Sequence, residues 1–237
     1  MITDAHCHVS CGEATVRELL IGRDFVGLHP WAVETYEGTV ADLLSAIERA
    51  LNTPEHPAFG VGEIGLDRLK DKNISLRMRE FFEAQLSFAL TRNLPVVLHG
   101  AKCWGQVVEA VKRLSPPGCK SALLFHGFSR SDGLIPDIVA LNGYISVGPA
   151  ILNDHAVNYR KLVMKIPRDR LLIETDRDEG ASQVSINDVA QALAVQLKLP
   201  LAELISLVNQ NFNSLEAKFL MGARTFLSVL PIRRRGS

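Results

Sequence analysis

The sequence Ile2-Thr3-Asp4-Ala5-His6-Cys7-His8 opens the chain with a short predicted strand that ends in two histidines. Residues two apart on a strand point to the same side, so His6 and His8 can close on one metal ion. Further short apolar runs recur along the chain, and several of them also end in a histidine or an acid. Together these runs predict strands over residues 2–6, 25–29, 58–64, 96–99, 122–126, 144–147 and 171–175.

The spacing of these runs predicts an α/β fold. Most of the runs are continuously apolar, as expected for strands that are buried on both faces of a parallel sheet. Apolar residues at helical spacing between them predict helices over residues 40–51, 76–90, 104–114, 186–197 and 201–208. Repeated strand–helix units of this kind fit a (β/α)8 TIM-type barrel.

The expected barrel is distorted, with a short or missing last strand. Only seven strands are evident, and the eighth should follow Asp176, where the polar segment 177–185 instead predicts a loop. An open doubly wound sheet is the alternative. It is disfavoured because the candidate ligands come from at least five strands, which suits a closed ring better than a single crevice.

Length, charge and cysteine content limit the class of protein. The 237 residues suit a single domain over 1–230, with a disordered tail predicted over 231–237. The 26 basic and 26 acidic residues cancel, so no global positive field would draw the chain onto nucleic acid. Four cysteines without a CxxC pair predict reduced thiols in a cytoplasmic protein. No apolar run is long enough to span a membrane, so no membrane association is expected.

The positions of six histidine and acidic residues predict a metal site at the carboxyl ends of the strands, where the active sites of barrel enzymes lie. A single histidine after a buried strand is often structural, but six ligand-type residues in this pattern favour two ions. Imidazole and carboxylate ligands suit Zn, Mn, Fe or Ni, and a bridging carboxylate can hold two ions about 3.5–4 Å apart. The six residues are His6, His8, Glu63, His99, His126 and Asp176.

The motifs around these residues resemble those of the TatD family of metal-dependent hydrolases, within the amidohydrolase-like barrels. The resemblance covers nearly the whole chain, and its most specific run is Gly62-Glu63-Ile64-Gly65-Leu66-Asp67. The other matching runs are DAHCH (4–8), GLHPW (27–31), PVVLH (95–99), FHGFS (125–129) and ETD (174–176).

The resemblance implies a ligand assignment and an activity. One divalent ion (Zn, Mn or Mg) would be held by His6, His8, Glu63 and Asp176. A second would be held by Glu63, His99 and His126, with Glu63 bridging. Characterised members of the family are cytoplasmic deoxyribonucleases, including 3′–5′ exonucleases on single strands, so DNA is the expected substrate.

Three positions depart from the family pattern, and all three lie at the expected substrate rim. Ala101, which Lys102 follows, stands where the family usually has an Arg, and Arg177 stands where a small residue and Pro are usual. Arg68 occupies a position that is commonly aromatic. Arg68, Lys102 and Arg177 are therefore candidates for a phosphate contact, or else solvated surface charges.

Two further residues are candidates for contact with the substrate. His29 is a possible donor to a phosphate oxygen, or a hydrogen-bonded loop histidine. Trp31 could stack on a base or cap the core of the barrel.

The predicted reaction is hydrolysis of a DNA phosphodiester by a metal-activated water, with Asp176 as general base and Glu63 as the bridging carboxylate. A second hypothesis is a hydrolase of a small amide, ester, lactone or phosphoester, which the neutral net charge and the missing Arg favour. A third is a non-enzymatic, metal-stabilised binding scaffold, against which the complete ligand set argues. No obligate protein partner is expected, and the chain is predicted to be a monomer or a weak oligomer.

Overall fold

The computed structural model describes residues 1–70, 72–180 and 184–229, with side chains described through residue 219. The predicted tail, 231–237, therefore lies outside the described residues. Strands β3 to β8 pair in chain order, all of them parallel, and β1 pairs with β2. The strands are β1 (Ile2–Cys7), β2 (Val16–Leu20), β3 (Phe25–Val26), β4 (Gly60–Asp67), β5 (Val96–Ala101), β6 (Leu123–Phe125), β7 (Gly143–Val147) and β8 (Leu171–Ile173).

Two weak seams join these strands into the distorted barrel that the sequence predicts. A single bridge between Ile21 and Phe25 links β2 to β3. Between β8 and β1, the Asp176 backbone N–H donates to the His6 carbonyl over 3.0 Å, and the His8 N–H donates to the Arg177 carbonyl over 2.8 Å. The last strand, β8, has three residues and lies within the predicted run 171–175.

The position of the eighth strand differs from the prediction. The described residues between Asp176 and Ser185 form no strand, and the additional strand is β2, near the start of the chain. Its sequence contains Arg17 and Glu18, and only Leu19 is fully buried. A half-exposed strand at a seam lacks the continuous apolar run by which the other strands are recognised.

Seven α-helices surround the strands in the described residues. Thr39, Ser75 and Ser185 cap α1, α2 and α6 by accepting a backbone N–H from the first turn, which fixes where these helices begin. Among the described residues, no single helix is long and apolar enough to cross a membrane. Helix α6 and the first part of α7 would pass together by length and composition, but they are bent by 108°. The helices are α1 (Val40–Leu51), α2 (Leu76–Thr91), α3 (Trp104–Leu114), α4 (Ile135–Ala140), α5 (Val157–Val163), α6 (Ile186–Leu197) and α7 (Leu201–Val229).

Helix α7 is longer than the predicted segment 201–208 and covers the seam between β8 and β1. The Asn209 side chain accepts from Thr3 Oγ1 over 2.8 Å and donates to the Met1 carbonyl over 3.0 Å. Asn211 Nδ2 donates to the Leu171 carbonyl over 2.8 Å. The two asparagines therefore tie the helix to both strands of the seam.

The candidate site lies directly above one of two apolar clusters. Val97 and Leu124 belong to the smaller cluster, while their neighbours along β5 and β6 belong to the larger one. Side chains alternate along a strand, so His99 and His126 continue the side of Val97 and Leu124. The smaller cluster is therefore the floor on which these two histidines stand.

Gly65 lies where β4 and β5 leave no room for a side chain. A Cβ atom on Gly65 would lie 1.9 Å from the carbonyl oxygen of His99, with which Gly65 pairs. We expect Gly65→Ala to force the strands apart and to lower the free energy of unfolding by about 3 kcal/mol, measured by urea denaturation. The control is Gly105→Ala on α3, where a Cβ meets nothing within 4 Å and the change should be neutral or stabilising. Equal stability of the two variants would contradict the close approach.

Candidate metal centre

All six predicted ligands converge around the Glu63 carboxylate. Glu63 is 2% exposed, and the nearest nitrogens of four histidines lie within 3.4 Å of its two oxygens. The predicted bounds, 58–64, place Glu63 near the end of its strand. In the structure strand β4 continues to Asp67, so Glu63 lies inside the strand. The carboxylate therefore stands at the middle of the site, with one oxygen facing each group of histidines.

The first group has the spacing of ligands on one ion. Glu63 Oε2 lies 3.4 Å from both His6 Nε2 and His8 Nε2, and Asp176 Oδ1 lies 3.4 Å and 3.7 Å from the same nitrogens. Ligands at 2.0–2.1 Å from a tetrahedral ion lie about 3.3 Å apart, and these four distances are close to that value. His6 Nε2 is also buried with no hydrogen-bond partner among the described residues, which is costly unless a cation meets it.

The second group is more compact. Glu63 Oε1 lies 2.6 Å from His99 Nδ1 and 2.6 Å from His126 Nε2, and these two nitrogens are 3.2 Å apart. The 2.6 Å distances are those of hydrogen bonds, in which imidazole N–H groups donate to the carboxylate. A cation that replaced those protons would have the same three ligand atoms. His29 Nε2, at 3.5 Å from Glu63 Oε1, lies at the edge of this group.

The carboxylates of Glu63 and Asp176 are stabilised in their ionised form by the positive charge around them. Burial raises the pKa of Glu63, but the surrounding histidines outweigh burial and hold the pKa well below its usual range. Burial likewise raises the pKa of Asp176, but the nearby His6 and His8 outweigh it and lower that pKa. The nearby carboxylates of Asp176 and Glu63 in turn raise the pKa of His8 to about 9. A divalent ion supplies the same positive charge and displaces the imidazole protons.

Three buried acids that sequence reasoning did not assign support the ligands. Asp67 Oδ2 accepts from His99 Nε2 over 2.8 Å, which leaves His99 Nδ1 to face Glu63. Glu174 accepts from the Gly127 N–H over 2.7 Å and lies 3.6 Å from His126 Nδ1.

The third of these acids is Asp4. It accepts from the backbone N–H and the hydroxyl of Thr175, at 3.0 Å and 2.6 Å. Burial raises the pKa of Asp4 to about 6. The contact spans the β8–β1 seam and holds the strand ends that carry His6 and Asp176.

We expect Asp67→Asn to weaken the second group specifically. The neutral amide holds the proton on His99 Nε2 less strongly than the carboxylate does, so His99 Nδ1 is less firmly kept in the unprotonated form that binds a metal ion. The affinity for the second divalent ion should fall about 10- to 100-fold, measured by calorimetric titration of the metal-free protein with Mn²⁺. Asp154→Asn, at a carboxylate with 88% of its side chain exposed, is the control. Unchanged affinity in Asp67→Asn would show that this hydrogen bond does not orient the ligand.

The candidate rim residues are placed differently from one another. Arg177 pairs with Glu18 of β2 over 3.2 Å, and Arg68 Nε donates to the Lys72 carbonyl over 3.0 Å. Lys102 is exposed, directly after β5, with a left-handed φ of 57°. Trp31 is 51% exposed, so it does not cap the barrel core. Their roles toward a substrate remain predictions.

A barrel with imidazole and carboxylate side chains gathered at the carboxyl ends of its strands defines the class of metal-centre (β/α)8 proteins. The chain belongs to the family described as TatD related DNase, whose model matches residues 21–217.

Proteins of similar sequence agree with this membership. The chain is 35% identical over 155 residues to an uncharacterized metal-dependent hydrolase of Haemophilus influenzae, covering 64% of this chain and 57% of that protein. It is 28% identical over 200 residues to the uncharacterized metal-dependent hydrolase YabD of Bacillus subtilis, covering 78% and 74%. For YjjV of Escherichia coli, also an uncharacterized metal-dependent hydrolase, the values are 32% over 151 residues, covering 64% and 56%. The matched stretch is thus little more than half the length of two of these relatives.

Solved structures confirm the predicted barrel fold. The crystal structure of YjjV, a TatD homolog from Escherichia coli, superposes with a TM-score of 0.76 at 24% identity over 90% of this chain and 97% of that one. A TatD family hydrolase from Entamoeba histolytica superposes with a TM-score of 0.65 at 19% identity over 84% and 75%. At these identities the likeness establishes the fold and not the activity.

Proposed function

We propose that the protein is a divalent-metal-dependent hydrolase that cleaves phosphodiester bonds of DNA, acting on single strands from the 3′ end. The observation that carries the proposal is the position of Glu63, with one oxygen facing His6 and His8 and the other facing His99 and His126. One carboxylate shared by two ligand groups is the arrangement that two-metal hydrolases use. The family membership supports a DNA substrate, because the family is described by that activity.

The chain supplies a base at the open side of the first group. Divalent ions bound here would lower the pKa of a coordinated water and stabilise charge on phosphoryl oxygens. Asp176 has 47% of its side chain exposed, so its carboxylate can accept a proton from the attacking water. His6 and His8 hold that carboxylate in its ionised form at neutral pH. His29, 26% exposed beside Glu63, is placed to donate to a non-bridging phosphate oxygen.

The test is cleavage of single-stranded DNA labelled at its 5′ end. The protein is stripped of metal with EDTA and assayed before and after Mg²⁺ or Mn²⁺ is restored. Shortening from the 3′ end that requires the added ion supports the proposal, and the same strand with a 3′ block should be resistant. Failure to cleave single- or double-stranded DNA with metal bound would refute it. Hydrolysis of p-nitrophenyl esters, lactones or small phosphodiesters under those conditions would establish the small-substrate alternative.

A further inference from the structure

An exposed tryptophan stands at the rim of the candidate metal centre. The Trp31 ring meets the His29 ring edge to face, with centroids 4.9 Å apart, and lies 6.5 Å from His99. Its surface is 51% exposed, in contrast to Trp104, which is 2% exposed. The exposed indole therefore offers an apolar aromatic surface to a molecule that approaches the centre.

The ring is exposed but fixed. Trp31 Nε1 donates to Asp67 Oδ2 over 2.9 Å, and Asp67 is fully buried. The same oxygen accepts from His99 Nε2, while the other oxygen accepts from the backbone N–H groups of Leu69 and Lys70. An aromatic ring that is already oriented loses little conformational entropy when a ligand stacks on it.

The side chain of Lys70 lies over the Trp31 ring. The Lys70 ammonium lies 5.4 Å from the centroid of the Trp31 ring. The described residues give this ammonium no ion pair or hydrogen bond. Since the backbone of Lys70 is bound to Asp67, one buried carboxylate positions both the aromatic surface and the segment that carries the charge.

Charge is distributed unevenly around the centre. On the side of β8 and β1, a cavity of about 620 Å³ is bordered by Glu13, Asp178 and Glu179, and its Arg177 is neutralised by Glu18. On the opposite side, the described residues of the segments after β4 and β5 carry the positive charges of Arg68, Lys70, Lys72 and Lys102. A polyanion that reaches the centre is therefore attracted to the side on which Trp31 stands.

We propose that Trp31 and Lys70 form a nucleotide subsite on the β4–β5 side of the metal centre. A base stacks on the indole, and a neighbouring phosphate lies beside the Lys70 ammonium. Stacking on an aromatic ring accepts any base, so the subsite holds a strand without reading its sequence. The inference rests on the proposed function, because it names how that site would hold a nucleic-acid strand.

The test of the stacking half compares two strands on the metal-loaded protein. One is a dye-labelled, cleavage-resistant phosphorothioate tetrathymidylate, and the other is the same strand with abasic sugars; binding is read by fluorescence anisotropy. Trp31→Leu should bind the thymidylate about 5- to 100-fold more weakly and the abasic strand less than about 2-fold more weakly. Trp31→Phe keeps a stacking face and should stay within about 3-fold of the unaltered protein for both strands.

The proposed phosphate contact of Lys70 is tested separately. Lys70→Gln should weaken both strands alike and reduce the slope of log K against log salt by about 0.7, the share of one phosphate contact. The control is Lys120→Gln, at an exposed lysine near the opposite, amino-terminal end of β6, which should change neither strand. Tm measurements establish that each variant is folded.

The outcomes separate this subsite from the proposed activity. If Trp31→Leu binds the thymidylate as tightly as the unaltered protein does, the subsite is refuted whether or not DNA is cleaved. If neither strand binds, it is refuted as well. If the base-dependent difference appears but unmodified strands are never cleaved, the subsite stands and the deoxyribonuclease proposal fails.

Discussion

Glu63→Gln is expected to reduce hydrolysis at least about 1,000-fold, which corresponds to about 4 kcal/mol of transition-state stabilisation. The carboxylate faces both groups of histidines, with Oε1 toward His99 and His126 and Oε2 toward His6 and His8. An amide keeps the shape of the side chain but offers one oxygen in place of two. Its NH₂ group must then face imidazole nitrogens on one side, so at least one group loses its anionic ligand.

The metal content separates this explanation from a loss of folding. We expect elemental analysis after gel filtration to show less than half of the metal that the unaltered protein retains, with an unchanged far-ultraviolet circular dichroism spectrum. Glu48→Gln, the same substitution at an exposed position of α1, should retain both activity and metal. Full metal content together with lost activity would mean that Glu63 acts on the substrate and not through the ions.

The sequence was sufficient to predict the barrel and the convergence of the six candidate ligands, because both depend on local pattern. Buried parallel strands leave continuous apolar runs, and residues at their carboxyl ends must meet at one face of the ring. Helices α1, α3 and α6 have the bounds predicted for them, since apolar spacing fixes their buried faces and, for α1 and α6, a capping side chain fixes the start.

Features that depend on long-range contacts were not predicted. Strand β2 was missed because Arg17 and Glu18 interrupt its apolar pattern, and the pairing of Arg177 with Glu18 was missed with it. The polar run at Asn209 and Asn211 resembles a helix end, but their amides satisfy backbone groups of the seam inside a continuing helix.

The acids behind the ligands illustrate a signal that is present but weak. Asp4 lies two residues before His6, and Glu174 lies two residues before Asp176. A spacing of two on a strand places both side chains on the same side, so each acid could have been predicted to face the site. The partners of these acids could not be predicted, because each comes from a different part of the chain. Thr175, the partner of Asp4, follows β8, and His126, the partner of Glu174, follows β6.

Asp176→Asn is expected to lower kcat by about 10²- to 10⁴-fold, the range for loss of a general base. The asparagine oxygen can still occupy the place of Oδ1, which lies 3.4 Å from His6 Nε2, so the first group should retain most of its affinity for metal. The amide cannot accept a proton at neutral pH, and the variant must then rely on hydroxide from solvent. Its residual rate should therefore rise about tenfold per pH unit above neutrality, whereas the unaltered protein, whose Asp176 pKa is held low by His6 and His8, keeps its base ionised throughout that range.

The matched control for this prediction lies two residues further along the chain. Asp178→Asn changes an exposed carboxylate whose one described side-chain contact is the Glu179 N–H, so its kcat should be unchanged. A pH–rate series on metal-loaded Asp176→Asn, with the ion content measured at each pH, distinguishes the two roles of the residue. If activity and metal are lost together, Asp176 acts as a ligand, and another group must accept the proton. If the metal stays and the rate follows hydroxide, then the exposed carboxylate of the first group is the base, since the histidines around it are committed to holding Glu63 and the ion.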